Sequence, residues 1–215
     1  IDLSKNAVVK NLNLSGCVNM HIIDLSKNEA LEMLDVSGTS LESLDVSNNA
    51  ALSFLCYNGC RINATGLRIG ASVKVKDVAG VVFYSKDSVV KIVSIDETSA
   101  EWGYYGTTTG ATSSVDGAAN TDKIVSGSPA AKWCRAKGAE WYLPAKDELK
   151  EIYNKKSAIN TTLSSISGTA LANSGYYWSS TEYVNRNAYF VDFSFGSVDS
   201  YSKGNSYKVR AVRAL

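Results

Sequence analysis

Apolar residues return every eleven positions through the first sixty residues: Ile1, Leu12, Ile23 and Leu34, then Leu44 and Leu55 after one step of ten. Each opens a short strand-like half, L-x-[LV]-S or a close variant, followed by a turn rich in Asn, Gly and Lys. The halves read IDLSKN (1–6), LNLSGC (12–17), IDLSKN (23–28), LDVSGT (34–39), LDVSNN (44–49) and LCYNGC (55–60). Two halves make a unit of 21–22 residues, and about three units are present. A strand–turn unit of this size cannot bury its apolar edge alone, whereas stacked units share a continuous core. Lys5, Lys27, Asn28 and Asn49 fall in the turns, where Asn and Gly suit left-handed backbone. They read as turn residues, with contacts on an exposed sheet as the alternative.

The period fades after Cys60. RINATGLRIG (61–70) leads into SVKVKDV, which puts a domain boundary near residue 70. Strands are expected at 80–85 and 88–95, separated by Lys86-Asp87, and the Gly/Ser/Thr/Ala-rich stretch 102–121 as a long ordered loop. Ser128 before Pro129 is a helix N-cap signal, and Gly138 ends that helix. A second helix starts at Pro144, with Leu149, Ile152 and Tyr153 as its apolar stripe. Its Asp147, Glu148 and Glu151 read as a solvated, dipole-matched face rather than a carboxylate site. A short helix or turn near 157–166 precedes strands at 175–180, 188–194, 197–202 and 207–213. Residues 71–215 thus form an α+β domain large enough to fold alone.

Composition narrows the function. The 215 residues carry a net charge of +1, so no basic excess points to nucleic acid. No apolar run is long enough to span a membrane. The chain opens inside a repeat with no leader, as expected of a piece of a longer protein, and a lipid anchor upstream is compatible with it. Cys17, Cys56, Cys60 and Cys134 form no dense disulfide framework. Cys56 and Cys60 lack a second Cys pair, and His21 is the one histidine, so small buried hydrophobes are favoured over a metal site. Ser179, Ser180 and Thr181 have no histidine in their domain to activate them. GTTTG (106–110) lacks the Lys-Ser/Thr of a phosphate loop. These features argue for a non-catalytic protein without cofactor or metal.

The first sixty residues resemble leucine-rich repeats, of the short variety common in surface proteins of Bacteroides-like bacteria. Four later stretches carry a second resemblance: AAKWCRAKGAEWYLPAKDELKEIY (130–153), GYYWSSTE (175–182), AYFVDFSFGSV (188–198) and YKVRAVRAL (207–215). Together they look like a bacterial domain-of-unknown-function family with a C-type-lectin-like fold, related in fold to the formylglycine-generating-enzyme domain. The oxidase relatives depend on a cysteine pair, and this domain has only Cys134. The calcium-dependent lectin signature is also missing. The expected architecture is therefore an α+β C-type-lectin-like domain (71–215) behind a short leucine-rich-repeat β-solenoid (1–70), truncated at its N-terminal edge. The resemblance implies a bacterial cell-surface or secreted protein at the outer-membrane exterior, which binds a protein or glycan. WSSTE and VRAVR would build its sheet core. Trp178 reads as core, with a sugar-stacking platform as the alternative, and Glu182 as a cap or as the partner of Arg210 or Arg213.

Some members of that family are variable proteins of diversity-generating retroelements, which mutate adenines in Asn-type codons. Lys, Glu, Met and Trp cannot be reached from Asn in this way. Between positions 183 and 207 the residues expected to point outward can all be reached: Tyr183, Asn185, Arg186, Asn187, Phe190, Asp192, Ser194, Phe195, Ser197, Asp199, Tyr201, Asn205 and Tyr207 are the candidate ligand-binding set. Val184, Tyr189, Ser200 and Ser206 share the property, whereas Lys203 and Lys208 do not. Tyr, Ser, Asn and Gly are also the composition of paratopes, and equally of edge strands and turns. By strand period Val191, Phe193, Gly196 and Val198 form the fixed inner set. Phe190 and Phe195 are left as contacts that the fold does not require. A filament or assembly subunit using the same face is the other reading.

Overall fold

The computed structural model describes residues 1–58, 60–63, 67–75, 78–86 and 89–215. Its strands in chain order are β1 (Asn11–Asn13), β2 (Met33–Asp35), β3 (Ser43–Asp45), β4 (Phe54–Tyr57), β5 (Arg61–Asn63), β6 (Ser72–Val75), β7 (Val78–Lys86), β8 (Val89–Ser94), β9 (Thr98–Glu101), β10 (Tyr176–Glu182), β11 (Asn187–Asp192), β12 (Val198–Ser202), β13 (Ser206–Val209) and β14 (Val212–Ala214). The helices are α1 (Gly117–Ile124), α2 (Pro129–Arg135), α3 (Lys146–Asn154) and α4 (Lys156–Ser165). Two compact units divide the chain at Ile92/Val93. The sequence places the boundary near residue 70, but β6–β8 join the N-terminal sheet, so the first compact unit runs on to Ile92. Asp87, in the expected turn before β8, lies outside the described residues.

In the first unit the repeat period becomes a parallel ladder. Leu12 pairs with Leu34, and Leu34 with Leu55, along β1, β2 and β4. β3 and β5 make a second, smaller parallel pair. The sheet continues through β6, parallel to β4, and β7, antiparallel to β6. Leu25, Leu31, Leu34, Leu44, Leu52 and Leu55 form its buried core. The recurrent Asp-x-Ser has a local cause: Asp24, Asp35 and Asp45 each accept the amide of the Ser two residues on, at 2.9 Å. Asn28 and Asn49 are fully buried. The side-chain amide of Asn49 donates to the carbonyls of Leu25 and Asn28, and that of Asn28 to those of Leu3 and Asn6. They are turn residues, as expected, and each also ties its turn to the one before.

The second unit is built on a five-stranded sheet of order β12-β11-β10-β13-β9. Ser128 caps α2 through the Ala131 amide, with Pro129 at its first position. α3 begins two residues after Pro144, and α4 follows where the short helix is expected. Three expectations change. The stretch 102–121 is not all loop, because Asp116 accepts the Ala119 amide and starts α1. β9 forms where no strand is expected, paired to β13. Glu148 is buried, not solvated: it accepts the Tyr142 hydroxyl and the Ala145 and Gly117 amides, joining α3 to the start of α1. Among the described residues no helix is long and apolar enough to cross a membrane.

Candidate functional site

The sheet of the second unit has two unlike faces. On one, Tyr177 packs on Phe193 with centroids 4.1 Å apart, and Phe193 meets Tyr153 of α3 at 5.5 Å. Strand alternation therefore turns Tyr176 and Trp178 to the face opposite α3. Cross-strand register adds the rest: Asp192 lies opposite Tyr176, Phe190 opposite Trp178, Asp199 opposite Phe190, and Tyr201 opposite Ala188. β13 contributes Tyr207.

The rings on this face touch one another. Tyr207 lies 4.4 Å from Trp178, 5.1 Å from Tyr176, 5.4 Å from Phe190 and 6.2 Å from Tyr201, and Tyr176 lies 4.8 Å from Phe190. β12 and β13 are three strand spacings apart, about 14 Å. At that strand separation, a ring distance of 6.2 Å requires the Tyr201 and Tyr207 side chains to lean across the sheet toward each other. Trp178 is fully buried and donates its indole N–H to the Asn205 carbonyl. Tyr176 and Tyr201 are exposed. Burial first, then the neighbouring Tyr201 and Tyr176 phenols, push the Tyr207 phenol above its ordinary range.

Phe190 is 8% exposed and Phe195 is 81% exposed. Phe190 is therefore not a ring the fold can spare: it sits beneath Tyr176 and Tyr207 and beside Trp178. Phe195 projects from the turn. Val198, expected in the inner set, is exposed, while Val191, Phe193 and Gly196 are buried. Gly196 has a further constraint. Its φ is +71°, and an added Cβ would lie 2.1 Å from the Tyr153 ring.

Twelve of the thirteen candidate residues form three groups rather than one site, and Asn205 stands apart from them. Phe190, Asp192, Asp199, Tyr201 and Tyr207 share the aromatic face. Tyr183, Asn185 and Arg186 are exposed in the loop before β11, with Asn187 at its start. Ser194, Phe195 and Ser197 stand at its other end. β11 separates these two ends by about 17 Å. Asn205 shapes its own turn, its side chain bonding the Ser202 carbonyl. Sequence reasoning missed Tyr176, and for Trp178 it favoured the core over a stacking platform. The two-residue period that singled out Phe190 also runs through Tyr176 and Trp178.

The loop before β11 is pinned by its backbone. The Asn185 carbonyl accepts from the Gly106 amide and from Lys203 Nζ, and the Arg186 carbonyl from the Lys203 amide. Lys203 is itself fully buried, with Nζ 2.6 Å from Glu182 and 3.0 Å from the Thr107 carbonyl, over the Trp102 ring. Glu182 also accepts the Thr109 and Gly110 amides. Burial alone would raise the Glu182 carboxyl, but the bond from Lys203 and the two amides outweigh it and hold it below its ordinary value. Glu182 thus pairs with Lys203, not with Arg210 or Arg213. Arg210 is buried against Glu97, which also holds Lys208 and the Tyr177 hydroxyl.

The hydroxyls of Ser179 and Thr181 donate to backbone carbonyls, and that of Ser180 accepts from Asn120. Burial pushes the Cys134 thiol far above its usual range. No group of three or more His, Cys, Asp or Glu able to hold a metal occurs among the described residues.

Comparison with known proteins gives two findings. The family model of the Lcl C-terminal domain matches residues 91–213. A fimbrial protein from Bacteroides ovatus has a similar solved structure, with a TM-score of 0.50 and 19% identity, over 59% of this chain and 36% of that one. At this identity the likeness is one of fold, and this chain accounts for little more than a third of that protein's length. No curated protein matches the chain.

Proposed function

The chain belongs to the Lcl C-terminal domain family, and on that premise we propose that it is a non-catalytic binding protein of the bacterial cell surface, engaging a protein or glycan through the strand face of its second unit. The observation that carries this reading is the aromatic layer opposite α3. Tyr176, Tyr201 and Tyr207 present ring and hydroxyl on a rigid sheet, which gives contact area at low entropic cost. The loop at 183–186 adds side chains that point outward from a backbone fixed by Lys203. The first unit reads as a short leucine-rich-repeat solenoid, a spacer or a second recognition surface. Its repeats end near residue 70, and β6–β8 extend its sheet.

The test is a screen of the whole chain against immobilised glycans and surface proteins, with a Tyr176→Ser/Tyr201→Ser variant alongside. The variant stays cooperatively folded, with a melting temperature lowered only by the uncovering of Phe190, and loses the ligand that the natural chain binds. Retention of every ligand by the variant would remove the face from the function.

Retroelement diversification is the finer form of this reading. Lys203 and Lys208, out of reach from Asn codons, each hold a carboxylate, the buried Glu182 and the partly buried Glu97, which is a physical reason for them to stay fixed. Sequencing the 3′ end of the gene across many cells of one culture tests it. Adenine-only changes within codons 183–207 support diversification, and an invariant sequence leaves the plain binding module.

A filament subunit is the alternative. The similar solved structure is of a fimbrial protein, and β12 is an edge strand paired on one side only, which is where another chain can add. Discrete oligomers in solution at moderate concentration would favour it.

A further inference from the structure

We propose that the aromatic face takes a cationic segment of a partner protein, seating Arg or Lys side chains on its rings; this rests on the binding role argued above. The ring face of an aromatic side chain is negative, so a layer of rings attracts cations. Here two carboxylates reinforce it. Asp192 stands cross-strand from Tyr176, and Asp199 cross-strand from Phe190. Each spends one oxygen on a local amide, that of Ser194 or Ser200, at 2.7 Å.

The cations of the second unit that stand over rings are engaged elsewhere. Lys137 stands over Trp133, Lys146 over Tyr189, Lys150 and Lys156 over Tyr153, Lys208 over Tyr177, and Arg186 over Tyr105. All lie off the aromatic layer. Lys203, in the turn between β12 and β13, is sealed against Glu182. From β10 to β12 the layer spans two strand spacings, about 10 Å, which is wide enough for more than one side chain. A basic segment would satisfy both carboxylates and the rings together, whereas an acidic one would be repelled by both.

The probe is a capped peptide of four Gly-Arg repeats, titrated into the whole chain while the tyrosine resonances are followed. Matched Gly-Glu peptide and a neutral oligosaccharide, maltoheptaose, serve as the other arms. The Arg peptide is expected to bind saturably, to shift Tyr176, Tyr201 and Tyr207, and to weaken as salt rises. Asp192→Asn/Asp199→Asn should weaken it about tenfold, at an unchanged melting temperature. Tyr201→Ser should weaken it severalfold. Absence of binding, or binding indifferent to the two Asp changes, would overturn the proposal. So would a preference for the Gly-Glu peptide or for maltoheptaose, although saturable maltoheptaose binding on these rings would leave the binding face itself intact. Failure of the ligand screen with both tyrosines irrelevant would instead remove the face altogether.

Discussion

The two units bury polar groups in opposite ways. In the first, Asn28 and Asn49 are neutral amides 21 positions apart, each donating to carbonyls one turn back. In the second, Glu182 and Lys203 are opposite charges, and the bonds around them draw in Thr107, Thr109, Gly110 and Asn185. The ladder is local and repeated, so losing one rung leaves the others in place. The ion pair is a single knot that ties two loops to the sheet. Its value lies less in net stability than in fixing the backbone beside the candidate binding loop, because burying two charges costs nearly what their attraction returns.

The largest effect should come from cutting that knot. Lys203→Met leaves Glu182 buried without its cation and should cost about 3–5 kcal/mol in denaturant unfolding. Glu182→Gln on top of it should recover part of the loss. A cost below about 1 kcal/mol would mean that water reaches the carboxylate and the knot is loose. In the ladder, Asn49→Ala removes two hydrogen bonds to carbonyls that still accept the Asn28 and Leu31 amides, and should cost about 1–3 kcal/mol. Asn28→Ala should cost less, because its partners are the Leu3 and Asn6 carbonyls, in a turn where Asn6 is exposed. The reverse order would show that the amides do not act as equivalent rungs.

Acid should separate the two devices next. The Glu182 carboxyl lies below its ordinary value in the folded protein, which in unfolded chain is about 4.3. Its contribution is therefore present above that range and is lost as pH falls through the folded value. The Asn amides do not titrate. Unfolding of the natural chain and of Glu182→Gln, followed from pH 6 downward, should show a smaller acid loss in the variant. Parallel curves would assign the acid sensitivity to other carboxylates.

This contrast also explains what a linear reading can reach. The ladder is legible because its partners recur at a fixed offset, and Leu12, Leu34 and Leu55 pair as their spacing implies. The helix starts at Ser128 and near Pro144 are legible because capping is local. The Glu182 partner is not: Lys203, Arg210 and Arg213 are equally available along the chain, and only the sheet order chooses among them. α1 is hidden by a Gly/Ala/Thr composition with little apolar stripe, its start set by Asp116. Phe190 is misjudged because strand period assigns a face and not a depth. Its burial depends on Tyr176 and Tyr207, which come from two other strands.

The smallest effect on stability should come from the exposed candidate contacts. Phe195 and Tyr201 project into solvent, Phe195 from the turn after β11 and Tyr201 at the margin of the layer. Phe195→Ala and Tyr201→Ser should each shift stability by about 0.5 kcal/mol or less, as exposed substitutions do. They differ in place, however: Tyr201 stands on the aromatic face, and Phe195 at the end of β11 remote from the 183–186 loop. If the face alone binds, Tyr201→Ser weakens the ligand and Phe195→Ala does not. Equal losses would extend the site along the whole of β11, and a loss confined to Phe195→Ala would move it to the turn around Gly196.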